Sequence, residues 1–164
     1  MHIDLTISDP RWSALSLKQL AGNAASAVGA HSGLPENTCE ISLLACSDAE
    51  ITRLNTDFRN KNKATNVLSW PANDLAGPTP GSEPRPPVAD YTGDIPLGDI
   101  AIAWETCARE AQAAGREMQH HVTHLLVHGV LHLLGYDHIR DADATLMMKN
   151  EVEILGKLGI DNPY

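Results

Sequence analysis

The sequence predicts one domain in which strands and helices alternate along the chain. Apolar residues alternate with a period of two in several segments and recur with the spacing of an amphipathic helix in others. The chain has 164 residues, of which 43% are hydrophobic, and this is enough to fill a single core. We therefore expect one domain over residues 1–164.

The expected elements follow one another closely. Gly29 is expected to follow the end of the first helix, and a capping box of Ser47 and Glu50 opens the second. In chain order, the expected elements are strand 2–7, helix 15–28, strand 39–46, helix 47–58, strand 67–70, strand 99–103, helix 104–114, a helix rich in histidine and helix 142–158.

A segment rich in proline and glycine separates two of the expected strands. Residues 71–96 hold seven of the ten prolines and three glycines. This composition is typical of a loop. We interpret the segment as a long loop inserted into the domain, and not as a boundary between two domains.

The composition argues against secreted and membrane proteins. The first residues lack a basic start and an apolar run, so we expect no secretory signal. Residues 118–136 contain no Lys, Arg, Asp or Glu, but five histidines lie among them, which argues against a membrane span. The three cysteines show no CxxC spacing, as expected of buried thiols in a reducing compartment. We therefore expect a cytoplasmic protein without a membrane partner.

The distribution of charge limits how the chain could bind nucleic acid. It has 12 Lys and Arg against 21 Asp and Glu, and a net charge of −9 argues against coating by nucleic acid over the whole surface. One segment, residues 53–63, is locally basic and carries Arg53, Arg59, Lys61 and Lys63. By itself this run is typical of the solvated end of a helix, where positive charge complements the dipole.

A cluster of histidines predicts a metal site. Six of the eight histidines lie between residues 120 and 138, and residues 128–138 read HGVLHLLGYDH. On a helix, His128 and His132 differ by about 40° in direction and about 6 Å in height, so both can reach one ion. Gly135 allows the chain to turn back, and His138 can then supply a third nitrogen. Three protein ligands leave one position of a tetrahedral Zn²⁺ open, which is typical of a catalytic site.

Other interpretations of the same residues stay open. His124, His128 and His132 share a narrow arc of an otherwise apolar helix, so they could be hydrogen-bonded core residues. They could also bind a structural metal, with Asp137 as the nearest candidate for a fourth ligand. The spacing resembles that of metzincin proteases, but those enzymes need a Glu as general base where this chain has Gly129.

The histidine segment closely resembles the signature HGxLHLxGYDH of the YbeY-type endoribonucleases, a family of bacterial rRNA maturation factors. Segments 54–61, 65–71 and 97–100 resemble the family's LNxxyRxkd, TDVLSFP and LGDI motifs. The resemblance implies an α+β fold, with a small mixed β-sheet flanked by helices in a zincin-like architecture of metal-dependent hydrolases.

The resemblance also implies a cofactor, a reaction and partners. It implies one Zn²⁺ per chain on His128, His132 and His138. The implied activity is that of a metal-dependent endoribonuclease that prefers single-stranded RNA. The implied role is in the maturation of small-subunit rRNA and in ribosome quality control, with the ribosome or ribosome-associated proteins as partners. The sequence sets no oligomeric state.

Further residues receive expected roles, Arg59 from the same resemblance and the others from a hypothesis of metal-assisted phosphodiester hydrolysis. Arg59 is implied as the catalytic basic residue that holds the phosphate, and Lys61 and Lys63 are expected to bind and steer the RNA strand. Asp137 and His124 are the candidates for a general base, or for a residue that orients a metal ligand.

Two positions and one segment depart from the family pattern. Asn66 stands where the family usually has Asp, Trp70 replaces the usual Phe, and the loop at 71–96 is longer than typical. Two alternative functions therefore remain. One is a zinc-dependent hydrolase of peptides or small molecules, and the other is a non-catalytic ribosome-associated factor with a stabilising metal.

Overall fold

The computed structural model describes residues 1–35 and 37–164, and the strands found there form one mixed sheet. The strands are β1 (His2–Ile7), β2 (Cys39–Cys46), β3 (Val67–Pro71) and β4 (Ile95–Ala103). Their order in space is β1-β2-β4-β3, with β1, β2 and β4 parallel and β3 antiparallel to β4. Strand β3 therefore lies at an edge of the sheet.

Helices pack against this sheet, and one of them forms the centre of the main core. A short 3-10 helix at Pro10–Ala14 precedes α1 (Leu17–His31), α2 (Asp48–Arg59), α3 (Trp104–Ala113), α4 (Met118–Leu133) and α5 (Asp141–Lys157). Helix α4 contacts α1, α3, α5, β3 and β4. It is apolar almost all round, as expected of a buried helix. Its buried aliphatic side chains are Val122, Leu125, Leu126, Val127, Val130, Leu131 and Leu133.

Strand β4 carries apolar residues on both of its faces. Ile100 and Ile102 belong to the main core, whereas Ala101 and Ala103 pack in a second cluster with Ile51 of α2. Successive side chains of a strand point to opposite faces, so a strand covered on both sides is a continuous apolar run. Helix α2 therefore lies on the face of the sheet opposite to α4.

The predicted fold class is confirmed, because helices flank a small mixed sheet. Strands β1 and β2 have the predicted bounds. The predicted end of α1 is wrong, since the helix continues through Gly29 to His31. Gly29 is buried, and a Cβ there would lie 3.5 Å from Met1 Cε. That distance is an ordinary van der Waals contact, so Gly29 is an interior residue of α1 and does not end the helix.

The predicted start of β4 is also wrong. The strand begins at Ile95, not at Asp99, because its first residues pair with β2 from Cys39 onward. Pro71 and Pro96 consequently belong to β3 and β4. The loop predicted over 71–96 is therefore shorter and covers residues 72–94.

Two smaller predictions concern the cap of α2 and the cysteines. Ser47 Oγ accepts a hydrogen bond from Glu50 N at 3.2 Å, as the capping box requires. The Glu50 carboxylate instead accepts from the Ser8 hydroxyl at 2.8 Å, so only half of the predicted box forms.

All three cysteines are buried and free, as predicted, and burial raises the pKa of the Cys46 thiol to about 12. Among the described residues, no helix has the length and hydropathy needed to cross a bilayer.

We expect Gly98→Ala to destabilise the fold by at least about 2 kcal/mol, as judged from the usual cost of a strained backbone. Gly98 of β4 has a φ of +135°, and a Cβ there would lie 2.2 Å from the Trp70 carbonyl oxygen. Gly22→Ala in α1 is the matched control, because in the described chain its added Cβ would have no atom within 4 Å besides its chain neighbours and the local helix backbone. The control should gain up to about 1 kcal/mol. Urea unfolding of both variants measures the difference, and equal stabilities would contradict the strain argument.

Candidate functional site

The end of α4 brings three histidines together. His128 and His132 lie on adjacent turns of the helix, and Gly135, with a φ of +102°, reverses the chain just after it. His138 then returns towards the helix, so that its ring centroid lies 5.4 Å from that of His128 and 5.0 Å from that of His132. One nitrogen from each of the three residues lies within 4.8 Å of the others.

Hydrogen bonds on the outer sides of two rings point their inner nitrogens at each other. His132 Nδ1 lies 3.0 Å from the Tyr136 carbonyl oxygen, which can only accept, so Nδ1 carries the proton. His128 Nδ1 bonds in the same way to the Glu151 carboxylate. Both Nε2 atoms thus present lone pairs, 3.0 Å apart. Such an arrangement fits a cation, since nitrogens on a tetrahedral zinc lie roughly 3.3 Å apart.

The protonation state of His132 also suits a metal ligand. Burial, followed by the charges of His128 and His138, lowers the pKa of His132 to about 4. The imidazole is therefore neutral near pH 7, and a neutral imidazole is the form that binds a metal.

Glu151 is a site residue that the sequence interpretation missed. It lies on α5 with only 1% of its side chain exposed, and it accepts hydrogen bonds from His128, His124 and Tyr164. Burial alone raises the pKa of this carboxyl group, but the hydrogen bonds from the two histidines outweigh burial and lower it to about 2. A sequence signal was present, because this acid falls on the apolar stripe formed by Met147, Ile154 and Leu155.

The two candidates for a general base lie in different places. Asp137 lines the same cleft as the three histidines, and its Oδ1 accepts from the backbone N of His138 at 2.8 Å. It also lies 4.0 Å from His132 Nδ1. His124 bonds to Glu151 at 3.2 Å, on the outer side of His128. Asp137 thus lies beside the three histidines that could hold an ion, and His124 lies behind them.

Arg59 reaches this cleft around the edge of the sheet. It is the last residue of α2, and Asn60, in a left-handed conformation, ends the helix. Its Nη2 donates to the Ser69 carbonyl oxygen at 2.7 Å, on edge strand β3. The Ser69 hydroxyl in turn donates to the Gly129 carbonyl oxygen of α4 at 3.3 Å. Strand β3 therefore connects the arginine on one face of the sheet with the histidine helix on the other.

One cleft of about 740 Å³ contains the three histidines and the basic residues. In the described chain, no ion pair engages Arg59, Lys61 or Lys63, so their charges are available to a ligand. The predicted site residues on the cleft wall are Arg59, Lys61, Lys63, Asp137, His128, His132 and His138.

The structure shows what surrounds the two residues that depart from the family pattern, Asn66 and Trp70. The Asn66 amide lines the cleft but donates to the Glu110 carboxylate at 3.0 Å, where an Asp would place two negative charges together. Trp70 faces the other side of the sheet and packs edge-on against Phe58, with centroids 5.9 Å apart. It therefore adds no stacking surface beside the histidines.

The proline-rich loop packs against the site. Residues 73–76 form part of the cleft wall. Leu75 is buried beside Gly135, where a Cβ would lie 2.7 Å from the Leu75 carbonyl carbon. Further out, Tyr136 donates to Glu83 at 3.0 Å, and Gly81 N donates to Asp143 at 2.8 Å. The loop thus supports the turn that carries His138.

Position 129, where a metzincin has its general base, has little space for a side chain. A Cβ on Gly129 would lie 3.1 Å from Ile100 Cδ1 and 3.3 Å from Ser69 Oγ. A Glu at this position would meet the sheet. The close packing of α4 against the sheet is therefore consistent with a glycine, and not a glutamate, at this position.

Comparison with known proteins indicates the same family as the sequence motifs. The family model described as "Endoribonuclease YbeY" matches residues 3–159. A relative named Endoribonuclease YbeY from Ruegeria pomeroyi is 62% identical, over 100% of this chain and 98% of its own length. Another relative of the same name, from Jannaschia sp., is 48% identical over 100% of both chains. The solution structure of TM1509 from Thermotoga maritima shares the fold, with a TM-score of 0.56 and 20% identity over 96% of this chain and 91% of that one. The chain therefore belongs to the endoribonuclease YbeY family.

Proposed function

We propose that this chain is a metal-dependent endoribonuclease that prefers single-stranded RNA and acts in small-subunit rRNA maturation and ribosome quality control. The supporting observation is that Arg59 and three converging histidines line one cleft, in a chain whose relatives are named endoribonucleases. The histidine cluster and the family together support a metal cofactor. We propose Zn²⁺, one per chain, because three imidazole nitrogens suit its tetrahedral coordination.

The proposed chemistry is hydrolysis of a phosphodiester bond. A divalent cation on His128, His132 and His138 supplies a Lewis acid and a site for water. Arg59 donates one hydrogen bond to Ser69, which holds the side chain in place and leaves other guanidinium N–H groups for two phosphate oxygens. Its positive charge then stabilises the charge that grows on the phosphate in the transition state.

We assign lesser roles to the other charged residues of the cleft. Lys61 and Lys63 attract the phosphates on either side of the scissile bond. Asp137 is the proposed proton acceptor, since only its Oδ1 has a hydrogen-bond partner among the described residues. His124 has no role in proton transfer in this proposal, because it contacts Glu151 and not the cleft.

A peptide hydrolase is the weaker candidate. The ligand spacing suits a zinc protease, but the usual glutamate is replaced by Gly129, where even a Cβ would crowd Ile100 and Ser69. The third candidate, a ribosome-associated factor with a structural metal, predicts a site closed by a fourth protein ligand. Within the described chain, the group that could hold an ion contains three residues.

The test of the proposed function is RNA cleavage by the zinc-reconstituted protein, with the new ends mapped. We expect unstructured RNA to be cut faster than duplex of the same length, because the net charge of −9 repels a rigid duplex outside the single basic cleft. Cleavage should weaken as salt rises. Equal rates on duplex and single strand at matched salt, or cleavage of casein and not of RNA, would contradict the proposal.

A pair of lysine variants controls for non-specific charge. Lys61→Ala removes one charge from the cleft, and the slope of log affinity against log salt should fall by about one unit. Lys18→Ala removes the same charge from the exposed side of α1 and should leave the slope unchanged. Equal effects of the two changes would show that the cleft does not bind the strand.

A further inference from the structure

Glu151 is a buried carboxylate whose ion-pair partners among the described residues are histidines. Its side chain is 1% exposed, and in the described part of the chain it pairs with histidines and not with Lys or Arg. Burying a charged carboxylate is costly unless hydrogen bonds compensate for the lost water. The carboxylate therefore needs its hydrogen-bond donors, and one of these is the proposed metal ligand His128.

The two oxygens of Glu151 have separate partners. Oε1 accepts from His128 Nδ1. Oε2 accepts from His124 Nε2 at 3.2 Å and from the Tyr164 hydroxyl. Tyr164 lies beyond the end of α5, and its ring packs edge-on against His124 with centroids 5.7 Å apart. Donors from two segments thus hold Oε2, and this leaves Oε1 directed at His128.

The consequence for His128 is a defined tautomer. Because a carboxylate oxygen accepts at Nδ1, the proton stays there and the Nε2 lone pair faces the metal position. His132 is held in the same Nδ1–H tautomer, but its acceptor, the Tyr136 carbonyl oxygen, is neutral. His128 Nδ1 donates to a charged acceptor and His132 Nδ1 to a neutral one, so the surroundings of the two rings are not equivalent.

We propose that Glu151 is a positioning residue for the metal centre, which holds His128 in the Nδ1–H tautomer and strengthens its Nε2 as a ligand, and that Tyr164 and His124 hold Glu151 in place. This inference rests on the proposed metal-dependent function. It adds a carboxylate, on a different helix from His128 and His132, that affects metal affinity without touching the metal or the RNA.

Glu151→Gln tests the proposal, because glutamine keeps the size of the side chain and removes its charge. Zn²⁺ affinity, measured by competition with a chromophoric chelator, should fall about 10- to 100-fold. In the metal-free variant, the ring ¹⁵N chemical shifts of His128 should move away from a pure Nδ1–H tautomer. Glu151→Asp should recover part of the affinity, because it retains the charge.

Two further variants complete the design. Tyr164→Phe removes one donor to Oε2 and should weaken Zn²⁺ binding by a smaller factor, without deleting any residue of the cleft. Glu153→Gln, on the same helix with a half-exposed side chain, is the matched control and should bind Zn²⁺ like the wild type. If Glu151→Gln does not fold, Tyr164→Phe and Glu151→Asp decide the question by the same two measurements.

Wild-type Zn²⁺ affinity together with an unchanged His128 tautomer in the Glu151 and Tyr164 variants would overturn the inference. A loss of affinity equal to that of Glu153→Gln would overturn it as well. Neither measurement needs RNA. Failure of the wild type to cleave RNA would therefore count against the proposed function and leave the role of Glu151 to be decided by metal affinity and tautomer.

Discussion

Arg59→Glu is expected to abolish RNA cleavage, with a loss of at least about 100-fold, which is the usual effect of removing a group that stabilises transition-state charge. The fold should tolerate the change, because Arg59 is exposed and, among the described residues, its side chain makes one hydrogen bond, to the Ser69 carbonyl oxygen. Metal content and Tm should therefore stay near those of the wild type. Single-turnover cleavage of a labelled RNA, with metal analysis of the same preparation, measures both.

Two variants separate charge from geometry in that experiment. Arg59→Lys keeps the charge but loses the planar fork that binds two phosphate oxygens, so only part of the rate should return. Arg53→Glu makes the same change of charge at an exposed position on the same helix, outside the cleft, and should retain most of the activity. A fully active Arg59→Glu protein would disprove the phosphate clamp.

His128→Ala is expected to lose stoichiometric zinc and RNA cleavage together. Removing one of three ligands leaves two, which cannot hold the ion with useful affinity. The same change removes a hydrogen-bond donor from the buried Glu151 carboxylate. The metal-free variant should therefore also lose about 1–3 kcal/mol of stability, the usual cost of an unsatisfied buried group.

Two other histidine variants provide the comparison. His132→Ala should lose the metal as well, but its outer partner is the neutral Tyr136 carbonyl, so the loss of stability in the metal-free protein should be smaller. His120→Ala, on α4 with its side chain 47% exposed, should keep both metal and activity. A full equivalent of tightly bound zinc in His128→Ala and His132→Ala would show that the ligand assignment is wrong.

The sequence predicted the elements whose signals are local. The bounds of β1 and β2 and the positions of α2 to α5 follow from periodicity within each segment. The facing of His128 and His132 also follows from local geometry, since residues four apart on a helix share a side. The turn at Gly135 is local in the same sense, because its positive φ favours glycine.

The sequence alone did not identify Glu151, and its interpretation of Gly29 was wrong. An acid on an apolar stripe is unusual, but its meaning depends on which residue of another helix lies opposite, here His128. Glycine is common just after a helix, yet Gly29 lies inside α1, which continues to His31. The role of Glu151 depends on a contact between residues far apart in the chain.

By itself, the sequence determined the family, the strands and helices with strong periodicity, and a histidine triplet that could bind one ion. The roles of the site residues remain predictions. Only the tertiary structure decided that β3 is an edge strand, that Arg59 passes around this edge to the histidine cleft, and that Glu151 lies behind His128. The physical reason is that hydrogen bonds and side-chain spacing within a helix or strand involve neighbours in sequence. Strand order and the packing of helices on the sheet are instead chosen by the burial of the whole core.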